Sequence, residues 1–200
     1  MVVSAITPTP LGEGKTVTSI SLSMGLNKIG ADCIVCLRQP SLGPVFGSKG
    51  GGAGGGKAQV VPADAINLGM TGDGHAIGAA HNLLAAMLDA HLRHGNELRL
   101  DPVRVTWPRV SPVNDGALRK LVVGLGGPQN GLPRESFFEI NEASEVMAIV
   151  ALARDRADLR RRLGNIVVGQ NHAGEPVRAE QLGAAGAMSV ILRDALYPTL

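Results

Sequence analysis

Gly12-Glu13-Gly14-Lys15-Thr16 stands between an apolar run, Val2 to Ile6, and a helical pattern that begins at Lys15. A helix opened in this way presents unpaired backbone N–H groups and the positive end of its dipole, while glycines let an anion approach the backbone closely. Lys15 has the reach for outer phosphates, and the Thr16 hydroxyl suits a Mg²⁺ ligand. The candidate nucleotide cradle is therefore Thr9, Pro10, Leu11, Gly12, Glu13, Gly14, Lys15 and Thr16, with Thr9 standing where the strict phosphate-loop pattern has its first glycine. The competing reading is a glycine-rich turn that merely contains a lysine.

Arg38 follows a second apolar run, Cys33 to Leu37. In open parallel sheets ligands sit outside the carboxyl ends of the strands, so neighbouring strands would bring Arg38 to the same rim as Lys15. A guanidinium there suits a carboxylate or an acyl phosphate; the alternative is a surface arginine paired with a loop carboxylate. From Leu42 to Gly56 eight of fifteen residues are glycine, which reads either as a closing flap or as a flexible linker. Asp73 is either a carboxylate of a Mg²⁺ shell or part of the cap of the following helix.

Other chemistry-bearing residues read as structural. His81 falls on the apolar stripe Ile77, His81, Leu84, Leu88 and His91, the place of a hydrogen-bonded core histidine. Arg154, Arg156, Arg160, Arg161 and Arg162 are interleaved with Asp155 and Asp158 and close a helix, which suits a solvated helix end rather than a nucleic-acid stripe. Cys33 and Cys36, three apart on an expected strand, would point to opposite faces, and are expected as two buried thiols.

These residues need a scaffold. Val2–Ile6 and Cys33–Leu37 read as strands, Lys15 to Ile29 as a helix covered on two faces, and Gln59–Val61 as a short strand. Helices are expected from His75 to Arg93, from Asp115 to Val123, from an Asn141 N-cap to Leu163, and from Ala185 to Leu196, with a strand over Asn165–Val168. Alternating strands and helices imply an α/β fold, and no linker divides residues 1–200, so a single nucleotide-binding domain is expected. Glycine is the compositional outlier at 27 of 200 residues, about twice the usual share. The net charge of +2 and 2 % aromatic content do not favour nucleic acid or a membrane surface as partner. No apolar run approaches the ~20 residues of a membrane span, and the amino terminus lacks a signal-peptide pattern.

Thr7 to Thr16, Leu37-Arg38-Gln39-Pro40-Ser41-Leu42-Gly43-Pro44 and Lys49 to Gly56 together resemble formate–tetrahydrofolate ligase. The likeness continues through Asp64–Leu68, Thr71-Gly72-Asp73, His81–Ala86, Gly124–Gly127 and Ala143–Ala148. The resemblance implies a P-loop NTPase-like, doubly wound, mostly parallel sheet with flanking helices. It implies that ATP, formate and tetrahydrofolate give 10-formyltetrahydrofolate through formyl phosphate, with Mg²⁺ and a monovalent cation as cofactors. Lys15 and Arg38 would flank the transferring phosphoryl group, and Asp73 matches an acidic position near that pocket. A homo-oligomer in the cytoplasm is also implied. Against the family pattern, Gln39 replaces a glutamate, Lys57 replaces a tyrosine, and the chain is short, so a partial chain lacking the folate-clamping aromatics is expected. The alternatives are another P-loop ligase of dethiobiotin-synthetase type, or a nucleotide-binding module without the full reaction.

Overall fold

In a computed structural model of the chain, residues 1–7, 9, 12–37, 42–44, 52–68 and 73–197 are described. They form two compact units, Met1–Thr71 and Gly72–Leu200. Helices and strands are mixed in an α/β arrangement, and the strands of the described residues fall into four small sheets rather than one.

In the first unit, α1 (Lys15–Lys28) starts where Gly14 adopts the left-handed conformation, with φ 70°. It ends at Gly30, whose N–H bonds the Asn27 carbonyl at 3.1 Å. Its apolar residues predict cover on two faces. Instead only Ile20 and Ser23 are buried, and Val17, Leu22, Met24 and Ile29 face outward. Ile20 packs on the hairpin of β1 (Gly54–Gly55) and β2 (Ala58–Gln59), the only strands among the unit's described residues. Gly54 makes that contact possible: at φ +86° a Cβ would fall 2.1 Å from the Ala58 carbonyl oxygen and 2.7 Å from Ile20 Cδ1. A short helix, α2 (Ala63–Asn67), follows, and Asn67 Oδ1 accepts from the Ala53 N–H at 3.2 Å.

Neither expected flanking strand forms. Val2 and Ile6 lie in no strand and are 89 % and 103 % exposed. A strand exists only through a neighbour's ladder, and none pairs with these residues among those described. At Cys33 a side chain takes the ladder's place, because Asn27 Nδ2 donates to the Cys33 carbonyl and Asn27 Oδ1 accepts from its N–H. Cys36 is consequently exposed and Cys33 half-buried, not the buried pair expected.

The second unit is built on α3 (Asp73–Arg93), which carries Ile77, His81, Leu84 and Leu88 along one fully buried stripe, as its periodicity predicts. Around it lie α4 (Glu145–Leu152), α5 (Arg156–Gly164) and α6 (Ala184–Ile191), which contribute Val146, Leu159, Leu163 and Met188 to the same core. An antiparallel sheet joins β3 (Leu100–Val105), β8 (Val167–Asn171) and β9 (Pro176–Arg178). Gly169 allows a bulge there, since a Cβ would meet the Arg104 carbonyl oxygen at 2.7 Å. The parallel pairing is between β4 (Arg109–Ser111) and β7 (Phe138–Ile140). Asn82 of α3 fastens β4 by pairing with both backbone groups of Val110, at 2.9 and 3.0 Å.

The helix expected over Asp115–Val123 is instead a 3₁₀ turn at Gly116–Leu118 followed by β5 (Leu121–Val123), antiparallel to β6 (Arg134–Ser136). Asp115 Oδ1 accepts from the Ala117 N–H at 2.9 Å, a turn-forming bond that competes with helix, and the β-branched Val122 and Val123 favour the ladder. The long helix expected from Asn141 is two helices. Ser144 caps α4 by accepting from Val146 N–H, and Asp155 caps α5 by accepting from Asp158 N–H at 2.8 Å. Asn141 instead reaches α3, donating to the Gly74 carbonyl at 2.8 Å, in a contact so close that only glycine fits at position 78.

Candidate functional site

The amino terminus of α1 gathers six of the residues singled out by sequence. Gly12 N–H bonds the Thr9 carbonyl at 3.1 Å and so closes a tight turn, with Gly12 at φ 82° and Gly14 at φ 70°. Among the described residues a Cβ at either glycine would meet nothing within 4 Å. Among the described residues no side chain caps α1, and no acidic residue lies in its first turn, so the helix end keeps its positive character. Lys15 stands at this mouth with its side chain 47 % exposed, and Thr16 follows it half-buried.

Glu13 is the residue whose behaviour the sequence did not foretell. One of its carboxylate oxygens accepts from the Thr9 N–H and the other pairs with Lys15 Nζ. The Lys15 hydrogen bond, followed by the Thr9 N–H, lowers the Glu13 carboxyl to about 2 from its ordinary 4.5. The carboxylate thus stays ionised across the physiological range and sits where an incoming anion would meet Lys15.

Pro10, Leu11, Arg38 and Gln39 lie outside the described residues. Asp73 belongs to the second unit, half-buried in the first turn of α3, where the helix dipole favours a carboxylate. Among the described residues no group of three or more His, Cys, Asp or Glu is placed to hold a metal ion. No described helix is long and apolar enough to cross a membrane.

His81 is a core histidine. Its Nε2 lies 3.1 Å from the Pro108 carbonyl and must carry the proton, which leaves Nδ1 to accept from the Ser144 hydroxyl at 2.8 Å. The ring stacks on Trp107 at a centroid distance of 4.1 Å. Burial lowers its pKa from 6.5 to about 4, so it stays neutral. The arginine run is a solvated helix end. Asp158 pairs with Arg161 and Arg162, Arg160 reaches Glu180, and Asp158 is lowered to about 2 chiefly by the Arg162 hydrogen bond.

A second charged cluster has no signature in the sequence. Asp89 of α3 holds Arg109 Nη2 at 2.6 Å and Arg134 Nη1 at 2.7 Å. The three residues are separated by 20 and 25 positions, and only the packing of α3, β4 and β6 brings them together.

Comparison with known proteins adds an independent line. The family model described as formate–tetrahydrofolate ligase matches residues 1–200. The chain is 60 % identical over its whole length to a formate–tetrahydrofolate ligase of Paracoccus denitrificans. It is 58 % identical over its whole length to those of Pseudothermotoga lettingae and Cutibacterium acnes. In each case the match covers 36 % of the relative, so the chain spans about a third of the length of the proteins it resembles.

Proposed function

The chain belongs to the formate–tetrahydrofolate ligase family, and from that premise we propose that it supplies the ATP and formyl-phosphate site of an ATP-dependent ligation of formate to tetrahydrofolate. The observation that carries the proposal is the open, uncapped amino terminus of α1, with Gly12 and Gly14 left-handed and Lys15 at its mouth.

The chemistry runs in two displacements. A formate oxygen attacks the γ-phosphorus, and the bond to ADP breaks with its electrons on ADP, giving formyl phosphate. The N10 amine of tetrahydrofolate then attacks the formyl carbon, phosphate leaves, and the amine proton is lost to solvent. Negative charge builds on the phosphoryl oxygens in the first step. The α1 N–H groups and Lys15 oppose that charge from the nucleotide side, and Arg38 from the formate side.

The donor set fits Mg²⁺ carried in with the nucleotide: the single neutral hydroxyl of Thr16 suits an ion that keeps phosphate and water as its other ligands. Bound there, Mg²⁺ would neutralise phosphate charge. For the monovalent cation, Gln39 offers a neutral amide oxygen where a carboxylate is usual. The proposal extends to a homo-oligomer and a cytoplasmic setting.

Calorimetric titration of the 200-residue chain with MgADP tests the reading. Binding is expected, and Lys15→Ala is expected to weaken it at least ~10-fold, about 1.4 kcal/mol. Unchanged affinity in that variant overturns the phosphate assignment. Tetrahydrofolate titrated into the same chain shows whether the folate half of the reaction is also present.

A further inference from the structure

We propose that the cleft between β3 and β6 binds a small organic carboxylate with an apolar, preferably aromatic, body. The cleft has a volume of about 410 Å³, within the range of small-molecule sites. Val103 and Val105 of β3 form one wall, Trp107 and Phe137 another, and Arg134 of β6 lines the same space.

Arg134 is the recognising group. Its side chain is 8 % exposed, yet its Nε is buried with no hydrogen-bond acceptor. Leaving a buried N–H unpaired is costly, and more so on a cation. Asp89 engages this guanidinium through Nη1 and Nε is closed off from solvent, which leaves Nη2 as the N–H group to meet a carboxylate end-on. Asp89 is also shared with Arg109, so two guanidiniums meet one carboxylate and a single positive charge is left over. One excess charge matches a monoanion rather than a phosphate carrying two or more. The other charged residue of the cleft, Glu135, is 73 % exposed and turned toward Lys120 at 3.9 Å. The aromatic and branched walls then select an acid with an apolar body over a bare anion.

The assay is built in, because Trp107 is the protein's one tryptophan and lines the cleft. Benzoate titrated into the 200-residue chain is expected to change its fluorescence saturably, with a dissociation constant on the order of 1 mM. Benzamide, of the same shape but uncharged, is expected to bind at least ~10-fold more weakly, as is formate, which lacks the apolar body. Arg134→Gln removes the positive charge and should erase the preference for benzoate over benzamide. Val103→Glu, at a site 90 % exposed and therefore tolerant, should weaken benzoate several-fold without altering the melting temperature. Equal binding of benzoate and benzamide, no saturable response, or an unchanged affinity in Val103→Glu would each overturn the proposal. Lys15→Ala should leave benzoate binding intact, so this site stands or falls apart from the nucleotide reading.

Discussion

Acidification should unfasten the second unit at His81. The folded environment lowers this imidazole from 6.5 to about 4, so the native state favours the neutral ring. For a group whose folded pKa is depressed in this way, the unfolded chain binds the proton first, and stability falls as pH drops below 6.5. Between the unfolded and folded values each pH step of one is worth about 1.4 kcal/mol, so the loss is about 2 kcal/mol by pH 5 and about 3 kcal/mol by pH 4. The structural cause is specific: a protonated Nδ1 would point its new N–H at the Ser144 hydroxyl, whose oxygen already accepts from Val146. Urea unfolding followed by Trp107 fluorescence, at about pH 7 and pH 5, reads the effect beside the ring itself. His81→Gln, which cannot titrate, should start less stable but lose about 2 kcal/mol less than the parent across that interval. Glu13 and Asp158, both lowered to about 2, add their losses only at lower pH, as the pH falls toward their folded values. Glu145, raised by burial, works in the opposite direction and is common to both proteins. Parallel losses in parent and variant would refute the assignment.

Two more outcomes follow from the first unit. Glu13→Gln removes the carboxylate that pairs with Lys15 and should tighten MgADP several-fold at low salt, less at high salt; calorimetry at two ionic strengths checks both the sign and the screening. Gly54→Ala forces a Cβ onto the Ala58 carbonyl and a side chain into φ +86°, and should cost more than ~2 kcal/mol, seen as faster hydrogen exchange of the Val60 N–H that bonds Ala53.

What the sequence could reveal was whatever a short window contains. The α3 stripe, its buried histidine, the glycine turn into α1 and the salt-bridged arginines all depend on neighbours within a few positions, and all are found. The failures turn on what a short window leaves out or marks only weakly. Val2–Ile6 and Cys33–Leu37 have strand composition, but composition cannot supply the neighbouring ladder, and Asn27 satisfies Cys33 instead. At Asp115 the competing bond was local but weakly marked. Asn141 and Ser144 are both good caps three residues apart; Ser144 accepts from the Val146 N–H, while Asn141 is held toward α3 by the bond from its Nδ2 to the Gly74 carbonyl. Asp89, Arg109 and Arg134 were invisible for the converse reason, since no window holds all three.

The Glu13–Lys15 pair gives the proposed nucleotide site a definite electrostatic starting point. In the free chain the lysine already has an anion, held on the Thr9 N–H as well, so the turn is shaped before any phosphate arrives. Exposed ion pairs are worth little, which makes this partner easy to displace. A polyphosphate brings several charges against one carboxylate and also meets the α1 N–H groups, which Glu13 does not cap. A single acetate-like anion has neither advantage and would compete poorly with Glu13. The pair therefore acts as a threshold, favouring multiply charged ligands over lone carboxylates. Formate, a lone carboxylate, would then need a different cation for its own binding, which is the part the proposed reading gives to Arg38.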